Sequence, residues 1–151
     1  MTGGVLLDTN VVLRLGDPEV RAALDRLRAA GRRLCVAPQS CVEAYVVATR
    51  PVVGNGFGMT PAEAAGLVDD IRETFEVLQD PPGLLDRWRR LVEAAGVRGK
   101  RAHDARLAAY AEGHGIGVVV TENVRDFAGL AAAGGFRVVR PVEAEPAGGG
   151  A

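Results

Sequence analysis

Short, almost uninterrupted apolar runs alternate along the chain with longer segments in which apolar residues return every three or four positions. "GVLLD" is the first such run and predicts a buried strand, while Val11, Val12 and Leu15 beyond it mark a helix face. "DPEVRAALDRLRAAG" predicts a helix with Pro18 in its first turn and Gly31 as its stop. "RLCVA" predicts a second strand, and "SCVEAYVVATR" a helix that ends before Pro51. After the glycine-rich loop "VVGNGFGM", Thr60-Pro61-x-Glu63 predicts a capping box with proline at the first helical position. "FEVL" predicts a third strand, and "PPGLLDRWRRLVEAAG" a helix whose Leu84, Leu85, Trp88 and Leu91 form one apolar stripe. "KRAHDARLAAYAEGHG" predicts a helix stopped by Gly113 and Gly115, and "IGVVVT" and "FRVVR" the last strands. Strands that are apolar throughout, rather than at alternate positions, belong in parallel sheets covered on both faces. The expected fold is therefore α/β: a twisted parallel sheet of about five strands, flanked by helices on both faces. No internal repeat or linker divides the chain. One domain is expected over residues 1–141, with 142–151, ending in "EAEPAGGGA", as a flexible C-terminal tail.

Such a sheet has a predictable active edge, because ligands of open α/β sheets bind beyond the carboxyl ends of the strands, near the point where strand order reverses. Asp8 lies at the carboxyl end of the first predicted strand. "VVVTENVRDF" places Thr121, Asn123 and Asp126 just past the end of a later one. Asp8 also reads as a helix cap worth about 1 kcal/mol. Glu43 has two open readings. Ser40-x-x-Glu43 fits a capping box, yet Val42, Ala44, Tyr45, Val46, Val47 and Ala48 make that helix apolar nearly all round. A buried helix would aim Glu43 at the interior or a cleft. Asp104 fits the first turn of its helix, where the dipole favours an acid by about 0.3–1 kcal/mol. It also shares a face with Leu107, Ala108 and Ala111, the predicted buried side, whereas Arg106 and Glu112 look outward. Asp126 reads equally as a turn or cap acid paired with Asn123.

Composition changes the picture by exclusion. Eighteen basic against nineteen acidic residues give a net charge of −1, so no bulk basic field attracts nucleic acid, and any such contact must be local or carried by a metal. Lys100 is the only lysine. Cys35 and Cys41 have neither redox-motif nor zinc-pair spacing and read as thiols in a reducing compartment. "MTGGVLLD" carries no basic segment ahead of a signal-length apolar run, and no stretch approaches membrane-span length, so a cytoplasmic protein without a membrane partner is expected. If the four acids converge, each ionised pair near 4 Å repels by about 4 kcal/mol at an effective dielectric of 20. Such a cluster holds extra protons or binds cations. Oxygen ligands without cysteine or paired histidine suit Mg²⁺ or Mn²⁺ rather than zinc, while His103 and His114 read as helix-start and helix-end residues. A carboxylate cluster holding Mg²⁺ at a sheet edge is chemistry for phosphate esters.

"LLDTNVVLRL", "VEAYVVATRP", "HDARLAAYAEGHG" and "VVVTENVRDFAGL", in that order and spacing, resemble the PIN-domain family, and more narrowly the VapC-type toxins of type II toxin–antitoxin systems. The resemblance runs from about Val5 to Pro141. It implies a PIN-like fold and a Mg²⁺- or Mn²⁺-dependent endoribonuclease leaving 5′-phosphate and 3′-hydroxyl ends. Asp8, Glu43, Asp104 and Asp126 match the family's four acids, with Asp8 and Asp104 as principal metal ligands and Asp126 and Glu43 binding a second ion or positioning water. Thr121 and Asn123 match polar residues that orient the site, a role also expected of Thr9 and Asn10. In "RGKRAH", Arg98, Lys100 and Arg101 are expected to hold flanking phosphates, although a solvated basic loop is an equally good reading. The implied partners are an RNA substrate, a cognate VapB-type antitoxin laying an apolar helix into a groove near the acids, and a second copy in a homodimer. Two rivals from other classes remain. One is a PIN-like RNA- or protein-binding module without turnover. The other is a phosphatase or phosphoacceptor domain; the first would want an acid where Asn10 stands, and the second a lysine after a late strand, whereas Lys100 precedes a helix.

Overall fold

Five short strands carry the architecture: β1 (Gly4–Leu7), β2 (Arg33–Val36), β3 (Glu76–Val77), β4 (Val118–Val120) and β5 (Arg137–Val139). They form a single all-parallel sheet in the order β3-β2-β1-β4-β5 in a computed structural model describing residues 3–145. Parallel pairing requires a crossover between successive strands. Those crossovers are α1 (Thr9–Val12) and α2 (Pro18–Ala29), α3 (Pro38–Thr49) and α4 (Pro61–Thr74), α5 (Leu84–Ala95) and α6 (Ala102–Gly113), and α7 (Val124–Gly134). The chain steps outward from β1 to β3 on one side, then returns to lay β4 and β5 on the other. Strand order therefore reverses between β1 and β4, as the α/β expectation requires.

The apolar strands serve two cores. Leu6, Cys35 and Val119 pack on one face with Leu91, Leu107, Tyr110 and Phe127. Val5, Leu7, Val36 and Val120 pack on the other with Val20, Leu24, Ile71 and Phe75. Both faces are covered, which is why no strand alternates apolar with polar. The capping box at α4 forms: Thr60 Oγ1 accepts from the Glu63 N–H at 3.2 Å, and Glu63 Oε1 accepts from the Thr60 N–H at 2.9 Å.

Several local expectations are corrected. α3 begins at Pro38, ahead of Ser40, because proline is pre-set for a first helical position; Ala37 is the cap. Ser40 is then an interior, buried residue whose hydroxyl has no partner, and no capping box with Glu43 exists. α3 is also covered on one side only: Ala44 and Ala48 are buried, whereas Val42 is 65% and Val46 48% exposed. On α5, Leu84, Trp88 and Leu91 face the core, but Leu85, a 100° step off that stripe, is 73% exposed. The Asn123 side chain does not cap α7; the Asp126 N–H donates to the Asn123 backbone carbonyl instead, at 3.1 Å. Beyond β5, Pro141–Glu143 forms a 3₁₀ turn and Ala144 is buried in the second core, so packing continues past the expected boundary at 141. Residues 146–151 of the expected tail lie outside the described residues.

Truncating Leu6 leaves a void at the centre of the sheet. Leu6→Ala is expected to cost about 2–5 kcal/mol, each kcal/mol lowering Tm by roughly 2–4 °C in a domain of this size. Leu85→Ala should change stability by no more than about 0.5 kcal/mol. Thermal denaturation of the two variants side by side checks this, and equal Tm losses would contradict the assigned burial.

Candidate active site

The reversal point delivers two segments distant in sequence to one edge. The Asp8 N–H donates to the Val120 carbonyl at 2.9 Å, extending the β1–β4 pairing by one residue and bringing Asp8 beside Thr121. Asp8 does cap α1, with Oδ1 accepting from the Thr9 N–H at 2.8 Å. Its second oxygen accepts from the Thr121 hydroxyl at 2.8 Å and from Asn10 Nδ2 at 3.4 Å. One oxygen of Asp8 thus serves as the helix cap while the other faces the end of β4. The Asn10 amide lies 3.3 Å from Thr121 Oγ1, and Asn10 Oδ1 accepts from the Glu122 N–H at 3.2 Å. Thr121 Oγ1 in turn accepts from the Asn123 N–H at 3.1 Å. Asn123 enters through its backbone, while Thr121, fully buried, and Asn10 are the polar joint between the β1 and β4 ends.

Glu43 stands midway along α3, where its Oε1 accepts from the Thr9 hydroxyl at 3.3 Å. Asp104 lies in the first turn of α6, preceding the buried run Ala105 and Leu107–Ala111, and is itself half-buried. Asp126 lies in the first turn of α7, where it is paired with Arg101. The four acids feel one another. Burial pushes the Asp104 carboxyl up to about 6, and the charges of Asp8, Asp126 and Glu43 push in the same direction. Burial also raises Glu43, with Asp8 adding to it. Asp8 is raised by burial against the opposing hydrogen bonds of Thr121 and Thr9. The sheet edge therefore gathers four carboxylates, of which Asp8, Glu43 and Asp104 have no salt-bridge partner among the described residues.

Among the described residues, no three His, Cys, Asp or Glu side chains are arranged closely enough to hold one ion. Mg²⁺ does not require such a cage: it keeps several waters and is commonly held by one or two carboxylates. The donor chemistry here, carboxylate and hydroxyl oxygen next to a raised Asp104, fits a hard divalent cation. Of the basic loop, Arg98 and Lys100 are exposed, whereas Arg101 is engaged by Asp126.

Two contributors escape a reading of the sequence. Gln39 donates from Nε2 to the His103 carbonyl at 3.0 Å, tying α3 to the start of α6 and so Glu43 to Asp104. Its position one turn before Glu43, on the same helix face, is the only signal for it. Glu122 takes Arg14 at 3.1 Å and Arg140 at 3.9 Å, clamping the loop after β4 between α1 and the end of β5. That link pairs charges far apart in sequence and leaves no local pattern.

A family model for the PIN domain matches residues 5–133. VapBC-1 from nontypeable Haemophilus influenzae is similar in structure, with a TM-score of 0.68 and 16% identity over 93% of this chain and 99% of that one. DNA-bound VapBC from Salmonella typhimurium also superposes with a TM-score of 0.68, at 20% identity and the same shares of 93% and 99%. A toxin–antitoxin complex from Klebsiella pneumoniae gives 0.61 at 23% identity, again covering 93% and 99%. No curated protein matches the chain in sequence.

The raised Asp104 makes stability depend on pH with a definite sign. Between about pH 4 and pH 6 the folded protein keeps a proton that the unfolded chain releases, so stability falls as pH rises through that window and levels off above it. Asp104→Asn, neutral throughout, should melt a few degrees above wild type at pH 7 in the absence of divalent ions, with the gain shrinking toward pH 4. Melting curves of both proteins from pH 4 to 7 test this. A difference independent of pH would contradict the assignment.

Proposed function

The chain belongs to the PIN-domain family, and from that premise we propose that it is the VapC-type toxin of a type II toxin–antitoxin pair, a Mg²⁺- or Mn²⁺-dependent endoribonuclease. The observation that carries this reading is the half-buried Asp104, its carboxyl raised to about 6 within the fields of Asp8, Asp126 and Glu43. An edge so rich in uncompensated negative charge suits a divalent cation and, through it, a phosphodiester.

The residues divide the work. Asp8 and Asp104 are the principal metal ligands, and Asp126 and Glu43 take a second ion or position the attacking water. When bound, the metal offsets negative charge on the scissile phosphate and the leaving oxygen. The Thr121 hydroxyl and the Thr9 N–H fix both oxygens of Asp8, so the carboxylate needs no reorganisation to act. The Thr9 hydroxyl orients Glu43, whose carboxyl is raised by burial and by the Asp8 charge, which makes it a stronger proton acceptor toward water than a free carboxylate. Asn10 ties Asp8 to Thr121 and to the Glu122 N–H, holding the two strand ends in register. Arg98 and Lys100, exposed ahead of α6, would hold flanking phosphates of the RNA.

The partners follow from the same reading: an RNA substrate, a VapB-type antitoxin and a second copy. Similar folds occur in VapBC assemblies, one of them bound to DNA. Two apolar concavities offer seats for protein partners. One, of about 430 Å³, lies between α5 and α6 among Leu84, Leu85, Trp88 and His103, with the exposed Val42 and Val46 of α3 as further apolar surface. The other, of about 210 Å³, lies between α1 and α4 among Val12, Leu13, Phe57, Met59 and Leu67. Among the described residues, no helix is long and apolar enough to cross a membrane, and the toxin is proposed to act in the cytoplasm.

Asp8→Asn and Asp104→Asn should each reduce Mg²⁺-dependent cleavage of structured RNA by at least about 100-fold and relieve the growth arrest caused by wild type expressed alone. Gel assays with folded variants decide the matter. Variants that bind RNA and stay as toxic as wild type would replace hydrolysis with the rival reading, a binding module acting by occupancy.

Self-association is checked separately. Wild type should sediment as a dimer, and Val46→Asp combined with Leu85→Asp should shift it to monomer. A dimer unaffected by both changes would place the interface elsewhere.

A further inference from the structure

Arg101 occupies a position that its own helix does not favour. It is the residue from which α6 starts, following the 3₁₀ turn Gly99–Arg101, and its side chain makes no capping bond. A cation at a helix N-terminus opposes the dipole, and arginine is not a capping residue. The side chain instead reaches across to the first turn of α7 and pairs with Asp126. Among the described residues this is the one salt bridge made by any of the four acids: Asp8 is held by hydroxyl, amide and backbone donors, and Glu43 by the Thr9 hydroxyl. The Arg101 charge is also felt at Asp104, where it acts against the raising effects of burial and of the other acids.

We propose that Arg101 is the resident counter-cation of the carboxylate cluster, and that a divalent ion binding there must displace it from Asp126. Arg101 and Asp126 are each about half exposed, 53% and 43%, so the pair contributes little net stability and opens readily. A divalent ion at the cluster repels the guanidinium and competes for the same carboxylate oxygen. While paired, Arg101 keeps part of the cluster's charge neutral and so sets the metal concentration at which the site fills. This inference rests on the cluster binding a divalent ion and is independent of which RNA, if any, is cleaved.

The test is calorimetric titration of Mn²⁺ and Mg²⁺ into metal-stripped wild type, Arg101→Gln, Arg101→Lys and Arg98→Gln, each shown to be folded by circular dichroism. Arg101→Gln should bind roughly three- to tenfold more tightly than wild type, since one repelling and competing charge is gone. Arg101→Lys should stay within about twofold of wild type, because the charge is kept. Arg98→Gln, with the same change in net charge but no partner in the cluster, should gain less than Arg101→Gln. In an Asp126→Asn background the gain from Arg101→Gln should shrink, because the pair no longer exists and only the repulsion of the ion by the Arg101 charge remains. Binding by Arg101→Gln no tighter than wild type, an equal gain from Arg98→Gln, or a gain undiminished with Asp126→Asn would each overturn the proposal while leaving the metal site intact. Absence of divalent binding to both wild type and Arg101→Gln would overturn the metal site as well.

Discussion

The hydrogen bond from Thr121 to Asp8, 2.8 Å long and spanning 113 residues of sequence, is the contact on which the rest of the site depends. It exists only because β1 and β4 are adjacent, and they are adjacent because the sheet reverses its strand order between them. Every other element of the site is referred to this joint. Asn10 and the Glu122 N–H lock it from either side, and Thr9, the next residue after Asp8, passes the alignment on to Glu43. A carboxylate at the end of a buried strand would otherwise be costly to desolvate. Here its oxygens are met by a backbone N–H, a hydroxyl and an amide, all neutral donors. They satisfy its hydrogen bonds without cancelling its charge, and burial still raises its pKa.

That distinction separates two kinds of acid in this fold. A structural acid ends up neutralised, as Glu112 does between Arg87 and Arg90. Asp8, Glu43 and Asp104 are oriented or buried but not neutralised, and their mutual repulsion is a standing cost to stability. Two apolar cores, one on each face of the sheet, supply the cohesion that tolerates it. A stable scaffold carrying a locally unfavourable edge is the usual arrangement for sites that are completed by a ligand.

Strand and helix order was legible in the sequence because the apolar runs are short, uninterrupted and separated by glycine and proline, and the order alone implies a parallel sheet with a reversal. Asp8 and Asp104 were legible for a second reason: each is an acid that interrupts, or lies on, an apolar face. Glu43 was ambiguous because Ser40 three residues earlier imitates a cap. Only the start of α3 at Pro38 removes that reading, and a two-residue shift of a boundary is beyond what local pattern resolves. The exposed faces at Val42, Val46 and Leu85 were misjudged because periodicity reports which residues could be buried, not whether a neighbouring element exists to bury them. Gln39 and Glu122 were invisible, since their partners are chosen by topology rather than spacing.

The charge balance of the chain acquires meaning at the edge itself. A net charge of −1 gives no long-range attraction for a polyanion. The guanidiniums near the acids are not free either: Arg101 pairs with Asp126, while Arg14 and Arg140 share Glu122. At these three arginines an approaching phosphate meets cations that already have partners, and must exchange for an acid in order to bind. Exchange of one ion pair for another releases little free energy in water, so affinity from these arginines alone is weak for any phosphate that merely diffuses past. If a divalent ion takes over Asp126, as proposed, the balance tips at Arg101, which is left without its partner, while Arg14 and Arg140 keep Glu122. Under the proposed function, such an edge would favour substrate over bystander nucleic acid by coupling phosphate binding to metal binding, a discrimination that a uniformly basic surface cannot make.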